Sequence, residues 1–176
     1  VTIQIGCDNS CAYCIVPAVR GREISRPFAD VIGEVTQLAS TGVTEVTLLG
    51  QNVNSYRDEH SGKNFAELLD ACAKAVPGMR IRYTTSHPQD MSDQLIETMA
   101  MHDNICKYIH LPVQSGSNRI LSLMNRTHPV EHYYERIEMI KKLMPDCALS
   151  TDIITGFPTE TEEDHEHTME LMRKVR

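Results

Sequence analysis

The stretch Val1-Thr2-Ile3-Gln4-Ile5-Gly6-Cys7-Asp8-Asn9-Ser10-Cys11-Ala12-Tyr13-Cys14 runs from an apolar segment through a glycine into three cysteines at C-x3-C-x2-C spacing. The segment Val1–Ile5 reads as a strand, so the spacing sets three thiolates on one short loop at a strand's carboxyl end. Thiolate is the soft ligand that selects zinc, Cu(I) or iron–sulfur clusters. A four-iron cluster is normally held by four cysteines, so three close ligands without a fourth point to an iron left open for a non-protein ligand. A structural zinc site is the competing reading, but it usually takes a fourth ligand from a second paired Cys or His group. Cys72, Cys106 and Cys147 stand alone. Disulfides are not expected, since the chain shows no secretory pattern and its cysteines are not spread as in a stapled scaffold. The other three cysteines read as structural: Cys72 shares a helical face with Leu68 and Leu69, and buried free cysteine is common.

Outward from this loop, short β-branched or apolar runs alternate with amphipathic helices. The strand candidates are Val1–Ile5, Val43–Leu49, Arg80–Thr84, Lys107–Leu111 and Cys147–Thr155. Helices are predicted at Phe28–Thr41, Phe65–Val76, Ser92–Met101, Asn118–Asn125 and Val130–Met144, with a last one from about Thr159. In the first, Phe28, Val31, Ile32, Val35, Leu38 and Ala39 follow the i, i+3, i+4, i+7 stripe. Pro27 suits its first turn and Gly42 its left-handed stop, and Ser92 is a plausible N-cap of the third. Strands separated by helices read as β-α units on a parallel sheet. Five units without a GxGxxG after the first strand predict an α/β fold: a partial parallel (β/α) barrel. Such barrels carry their active site at the carboxyl ends of the strands. The polar segments that follow the strands are Cys7–Cys14, Gly50-Gln51-Asn52, Ser86-His87-Pro88, Gln114-Ser115-Gly116-Ser117 and Gly156-Phe157-Pro158-Thr159-Glu160-Thr161.

At 176 residues the chain is one domain, large enough to bury a substantial core. No stretch approaches the roughly 18 consecutive apolar residues of a membrane span, so no membrane partner is expected. The chain opens inside a strand and closes in a charged helical pattern, Glu160 to Arg176, which predicts a piece of a longer protein. The net charge of −7 argues against this piece alone gripping a phosphate backbone.

Cys7-Asp8-Asn9-Ser10-Cys11-Ala12-Tyr13-Cys14 resembles the C-x3-C-x-(aromatic)-C signature of the radical S-adenosylmethionine superfamily. Arg20-Gly21-Arg22-Glu23-Ile24-Ser25-Arg26-Pro27, Leu48-Leu49-Gly50-Gln51-Asn52-Val53-Asn54-Ser55-Tyr56, Thr84-Thr85-Ser86-His87-Pro88, His110-Leu111-Pro112-Val113-Gln114-Ser115-Gly116-Ser117 and Gly156–Thr161 narrow the resemblance to the methylthiotransferases. Gly50-Gln51-Asn52-Val53 and Met124-Asn125-Arg126-Thr127-His128 resemble the MiaB-type tRNA branch more than the branch that modifies a ribosomal-protein aspartate. The match covers the whole chain, residues 1–176, and only the catalytic domain of that family. The family is also expected to carry an N-terminal domain with a second [4Fe-4S] cluster and a C-terminal TRAM domain.

The resemblance implies a [4Fe-4S] cluster on Cys7, Cys11 and Cys14 that binds S-adenosylmethionine at its unique iron. It implies reductive cleavage to a 5′-deoxyadenosyl radical and methylthiolation of C2 of an isopentenylated adenosine beside the tRNA anticodon. It further implies a cytoplasmic enzyme, tRNA as partner, and an electron donor such as flavodoxin or ferredoxin. Electron transfer alone and zinc binding are the rivals of a different class.

Within that resemblance, Tyr13 is placed to cover the cluster or the cofactor's adenine. Gly50-Gln51-Asn52 occupies the position that meets the methionine amino group, and the side chains of Gln51 and Asn52 offer carbonyl acceptors. A plain turn is the competing reading there. Ser86, Gln114 and Ser115 are candidates for ribose or carboxylate hydrogen bonds. Arg126 matches the planar methionine carboxylate, against the alternative of a solvated arginine. Ile154 and Phe157 would cover the adenine, and a core role for Ile154 is equally natural. Asp152 stands where the superfamily often has glycine; it reads either as a ligand contact or as a pinned structural acid. Arg20, Arg22 and Arg26 form a basic cluster that would guide tRNA phosphates, or a set of solvated or ion-paired arginines. His165 and His167 point to different helix sides and read as surface residues.

Overall fold

The computed structural model describes residues 1–175. Five chain segments lie side by side in parallel, each followed by a loop and then a helix. Strand β1 (Gln4–Ile5) precedes α1 (Val16–Arg20), β2 (Ile24–Ser25) and α2 (Phe28–Ser40). Next come β3 (Glu45–Leu49), α3 (Phe65–Ala75), β4 (Arg80–Thr84), α4 (Asp93–Met101) and β5 (Tyr108–His110). The chain continues through α5 (Asn118–Leu123), α6 (Val130–Leu143), β6 (Ala148–Ser150) and α7 (Glu162–Val175). The expected helical pattern to Arg176 ends, at its last residue, outside the described residues.

The regular ladders are β3 with β4 and β5 with β6, both parallel. Single parallel bridges join them: Thr2 to Leu49 ahead of β3, Ile81 to Ile105 between the ladders, and Gln114 to Ile153 beyond β6. The result is the partial parallel barrel expected from the alternation of runs and helices. Four of the five expected strands are shorter than predicted; the second begins at Glu45 rather than Val43. The first splits its bonding: Val1–Ile3 lies against β3, while Gln4–Ile5 pairs antiparallel with β2, Ile5 opposite Ile24. The last two shrink to Tyr108–His110 and Ala148–Ser150. Neither β2 nor α1 was expected; each is too short to show a period.

The core lies between the sheet and its helices. In β3 and β4 the buried residues alternate, Val46 and Leu48 beside Ile81 and Tyr83, as half-covered strands require. Val31 and Val35 of α2, Leu68, Leu69 and Cys72 of α3, and Ile96 and Met99 of α4 close over that face. Full burial of each aliphatic side chain contributes roughly 1.5–3 kcal/mol. Phe65 meets Tyr83 edge to face at 5.1 Å, locking α3 to β4. Burial pushes the Cys72 thiol up to about 12, in keeping with its structural reading. The helix ends follow local chemistry. Ser92 caps α4 by accepting from the Leu95 N–H at 3.2 Å. Asn64 and Glu67 form a reciprocal capping box on α3. Among the described residues no helix is long and apolar enough to cross a membrane.

Candidate functional site

The loops after β1, β3, β4 and β5 are hydrogen-bonded to one another, directly or through a shared residue. Gly6 ends β1 at φ +75°, and a Cβ there would lie 2.0 Å from the Arg22 carbonyl oxygen, so only glycine fits. Its N–H donates to Gln51 Oε1 at 2.6 Å. Gly50 is constrained less tightly: a Cβ there would sit 2.6 Å from Gln4 Oε1, the end of a side chain rather than backbone. Gln4, fully buried, donates from Nε2 to Ser55 Oγ at 2.9 Å and accepts from the Asn52 N–H at 3.3 Å. The polar residue of a five-residue apolar run is thus the tie between the first two strand ends.

Cys7 and Cys11 are half-buried and Cys14 is exposed. The Cys7 N–H donates to Gly21 O at 3.3 Å and the Cys14 N–H to Cys11 O at 3.0 Å. Burial raises the Cys7 thiol above its ordinary value, against hydrogen bonds from Asn9. Among the described residues no three His, Cys, Asp or Glu side chains converge as ligands of a single metal ion. Tyr13 lies between two of the cysteines; burial, partly offset by the Arg126 guanidinium, pushes its phenol up to about 12 and keeps it neutral. Arg126 contacts Cys11 Sγ at 3.8 Å and Tyr13 Oη at 3.5 Å through Nη1, and donates to Pro112 O at 2.6 Å through Nη2.

The remaining candidates divide by what their side chains already do. Asn52 is buried and donates from Nδ2 to Asp90 Oδ2 at 2.6 Å, leaving Oδ1 without a partner. Ser86 Oγ and Arg126 Nε are likewise buried and unpartnered. Asn54 Oδ1 after β3 and His128 Nε2 after α5 share this state, so the loops after β3, β4 and α5 carry five such atoms, each costly unless something fills the space it faces. Gln51 spends its carbonyl on Gly6, and Ser115 is fully buried, accepting from the Ser117 N–H at 3.1 Å and facing Thr168 Oγ1 at 3.4 Å. Both bonds lie within the scaffold. Gln114 holds a left-handed φ of +74° while its backbone bridges to Asp152 and Ile154. Ile154 and Phe157 are half-buried, and Glu160 closes the last loop by accepting from the Gly156 and Phe157 N–H groups. Asp152, read as a ligand contact or a pinned structural acid, is exposed and lies 3.3 Å from His110 Nε2. Arg20 and Arg22 are exposed, whereas Arg26 pairs with Glu34 at 2.7 Å and donates to Thr2 O at 2.9 Å.

Two features had no role in the sequence reading. His87 and His128, both buried, meet edge to face at 5.4 Å, with His132 tilted beyond at 6.5 Å. Burial, aided by the nearby Arg126 charge, pushes His87 down to about 3 and His128 to about 4, so both are neutral. Asn125, at φ +55°, donates from Nδ2 to Ser10 O at 2.9 Å and Ser10 Oγ at 2.6 Å. An asparagine just after a helix is the available signal, since it tolerates the left-handed turn.

Residues 1–172 match the model of the Radical SAM superfamily. A tRNA-2-methylthio-N(6)-dimethylallyladenosine synthase of Chloroherpeton thalassium is 57% identical over 176 residues, all of this chain and 39% of the relative. The protein of that name from Phocaeicola vulgatus is 56% identical over 99% of this chain and 39% of its own length. The chain thus spans about two fifths of the curated relatives it matches. Among solved structures, the radical S-adenosylmethionine methyltransferase TsrM from Kitasatospora setae, with cobalamin and a [4Fe-4S] cluster bound, superposes with a TM-score of 0.76 at 17% identity, over 99% of this chain and 34% of that one. The cobalamin-dependent S-adenosylmethionine radical enzyme OxsB gives 0.78 at 11% identity, over 97% of this chain and 26% of its own. At such identities the likeness concerns the fold.

Proposed function

This chain belongs to the Radical SAM superfamily, and we propose that it is the catalytic domain of a tRNA methylthiotransferase acting on N6-isopentenyladenosine beside the anticodon. The observation that carries the reading is the set of three cysteines on one loop at the carboxyl end of a partial parallel barrel, beside buried polar atoms that lack partners. The names of relatives at 56 and 57% identity support the substrate.

The residues fit a [4Fe-4S] cluster. Each cysteine of a cubane binds a different iron, so its thiolates need not converge on one point, whereas a zinc site requires them to. Cys7, Cys11 and Cys14 would hold the cluster, and Asn52 Oδ1, Ser86 Oγ and Arg126 Nε are among the unpartnered polar atoms and would serve S-adenosylmethionine. When bound, and given one electron by an external donor, this pair would supply radical hydrogen-abstraction chemistry at the substrate carbon. The chain's own share is placement and exclusion. Asn52 is held by Asp90 so that its Oδ1 can accept from an ammonium. Arg126 is fixed by Pro112 O, so its unpartnered Nε is held in a set orientation in which it would meet an anion. Tyr13 covers the cysteine loop as a neutral phenol. Gly50 and Gly6 allow the strand ends to approach closely enough for these groups to share one site.

The rest of the longer protein would supply a second cluster as sulfur source and most of the tRNA grip. A net charge of −7 releases few counterions on contact with a phosphate backbone. Arg20 and Arg22 are the exposed cations beside the mouth; Arg26 is committed to Glu34. An electron donor of flavodoxin or ferredoxin type completes the set of partners. The test is a series of alanine variants in the anaerobically reconstituted protein. Cys7→Ala, Cys11→Ala and Cys14→Ala should each lose the cluster's visible absorption and 5′-deoxyadenosine release, while Cys72→Ala keeps both. A Cys11→Ala protein that cleaves S-adenosylmethionine at the normal rate would contradict the assignment.

A further inference from the structure

The loop from Gly6 to Ile15 contains no helix or strand. Its outer parts are tied to nearby chain: Gly6 to Gln51 and Cys7 to Gly21. Its centre, Ser10 to Tyr13, has a different anchor. Met124 O accepts from the Ala12 N–H at 2.9 Å, Asn125 Nδ2 donates to Ser10 O at 2.9 Å, and Arg126 Nη1 reaches Cys11 Sγ at 3.8 Å and Tyr13 Oη at 3.5 Å. Three consecutive residues, more than 110 positions away in sequence, thus hold four consecutive residues around the middle cysteine. Both ends of this anchor are fixed. Asn125 sits in the left-handed turn that ends α5, and Arg126 is bonded to Pro112 O after β5.

We infer that Asn125 and Arg126 are positioning residues that brace the cysteine loop in its liganding shape before any cluster is loaded, and that Arg126 also acts on the cluster through Cys11. The inference rests on the reading of Cys7, Cys11 and Cys14 as cluster ligands. A loop without helix or strand loses chain entropy when it is ordered; a brace formed by the fold removes part of that cost from the loading step. Hydrogen bonds to ligand sulfurs are also among the levers that set a cluster's potential. A guanidinium nitrogen at Cys11 Sγ places such a donor there.

The test begins on the intact apo protein. Glycine adopts the left-handed turn without strain, so N125G removes the carboxamide alone. Hydrogen exchange of residues 10–14 and alkylation of Cys11 and Cys14 should each accelerate about tenfold, the factor equivalent to about 1.4 kcal/mol. Alkylation of Cys72 and the melting temperature should stay at the wild-type value. N125D, which keeps the turn and loses the donor, should behave alike and serves if N125G folds poorly. After reconstitution, R126Q should move the cluster's midpoint potential negative at unchanged iron content, with R126K restoring part of the shift. Wild-type exchange and alkylation rates in both Asn125 variants would overturn the brace. A wild-type potential in R126Q would overturn the action through Cys11. Wild-type protein that takes up no iron would sink the cluster reading instead, and the exchange rates would still decide whether the loop is braced.

Discussion

Gln51→Ala separates a scaffold role from a cofactor contact. Gln51 Oε1 accepts from the Gly6 N–H at 2.6 Å, and Gly6 is buried against the Arg22 carbonyl with no room even for a methyl group. Removing the acceptor leaves that N–H without a protein partner, a loss of about 1–3 kcal/mol for an orphaned buried group. With a urea m-value near 2 kcal/mol/M, the midpoint should fall by roughly 0.5–1.5 M. Gln51→Glu keeps the acceptor and should recover most of the loss. In the reconstituted protein, Gln51→Ala should leave S-adenosylmethionine affinity near wild type. Asn52→Ala, which removes the unpartnered Oδ1, should weaken it by about tenfold or more, the equivalent of about 1.5–3 kcal/mol for a bond to a charged group. The reasoning fails if Gln51→Ala melts like wild type in urea yet loses cofactor affinity.

Other tests follow from buried groups. His87 and His128 titrate at about 3 and about 4 in the folded chain, below their ordinary value, so the unfolded chain takes up protons first on acidification. Their contribution is complete above about pH 6.5 and is lost as pH falls towards 4, at up to about 1.4 kcal/mol per pH unit for each; His128→Gln should flatten the slope of stability against pH. Asp164 accepts from Arg119, Ser117 and Thr161 and joins the start of α7 to α5. Those bonds hold its carboxyl well below the usual range. Its contribution should therefore be complete above the pH at which ordinary carboxylates titrate and be lost progressively as pH falls below it, and Asp164→Asn should lower the melting temperature at pH 7.

The barrel was legible because each apolar run is followed by a polar segment, and that order alone places the loops at one end of the sheet. Helix α4 was legible through Ser92, whose side chain makes the expected cap. The β1–β2 pairing was not: two strands of two residues each carry no period. Gln51 and Ser115 are candidate ligand contacts by the resemblance, with a plain turn as the competing reading at Gln51, and in the fold their side chains bond within the scaffold. Residue type states what a side chain can bond to; only the fold decides which partner arrives first. Asp152 shows the same limit, since its exposure depends on where β6 ends, three residues long instead of nine. The anchor between Asn125 and Ser10 spans 115 positions and leaves no local trace.

The most direct measurement is anaerobic reconstitution of this chain alone, with iron, sulfide, 5′-deoxyadenosine and methylthiolated adenosine measured together in the presence of isopentenylated tRNA. Three clustered cysteines predict one [4Fe-4S] cluster, about four iron per chain, and slow S-adenosylmethionine cleavage without methylthiolated product. A single bound zinc without cleavage, or methylthiolated adenosine formed by this chain unaided, would contradict the account.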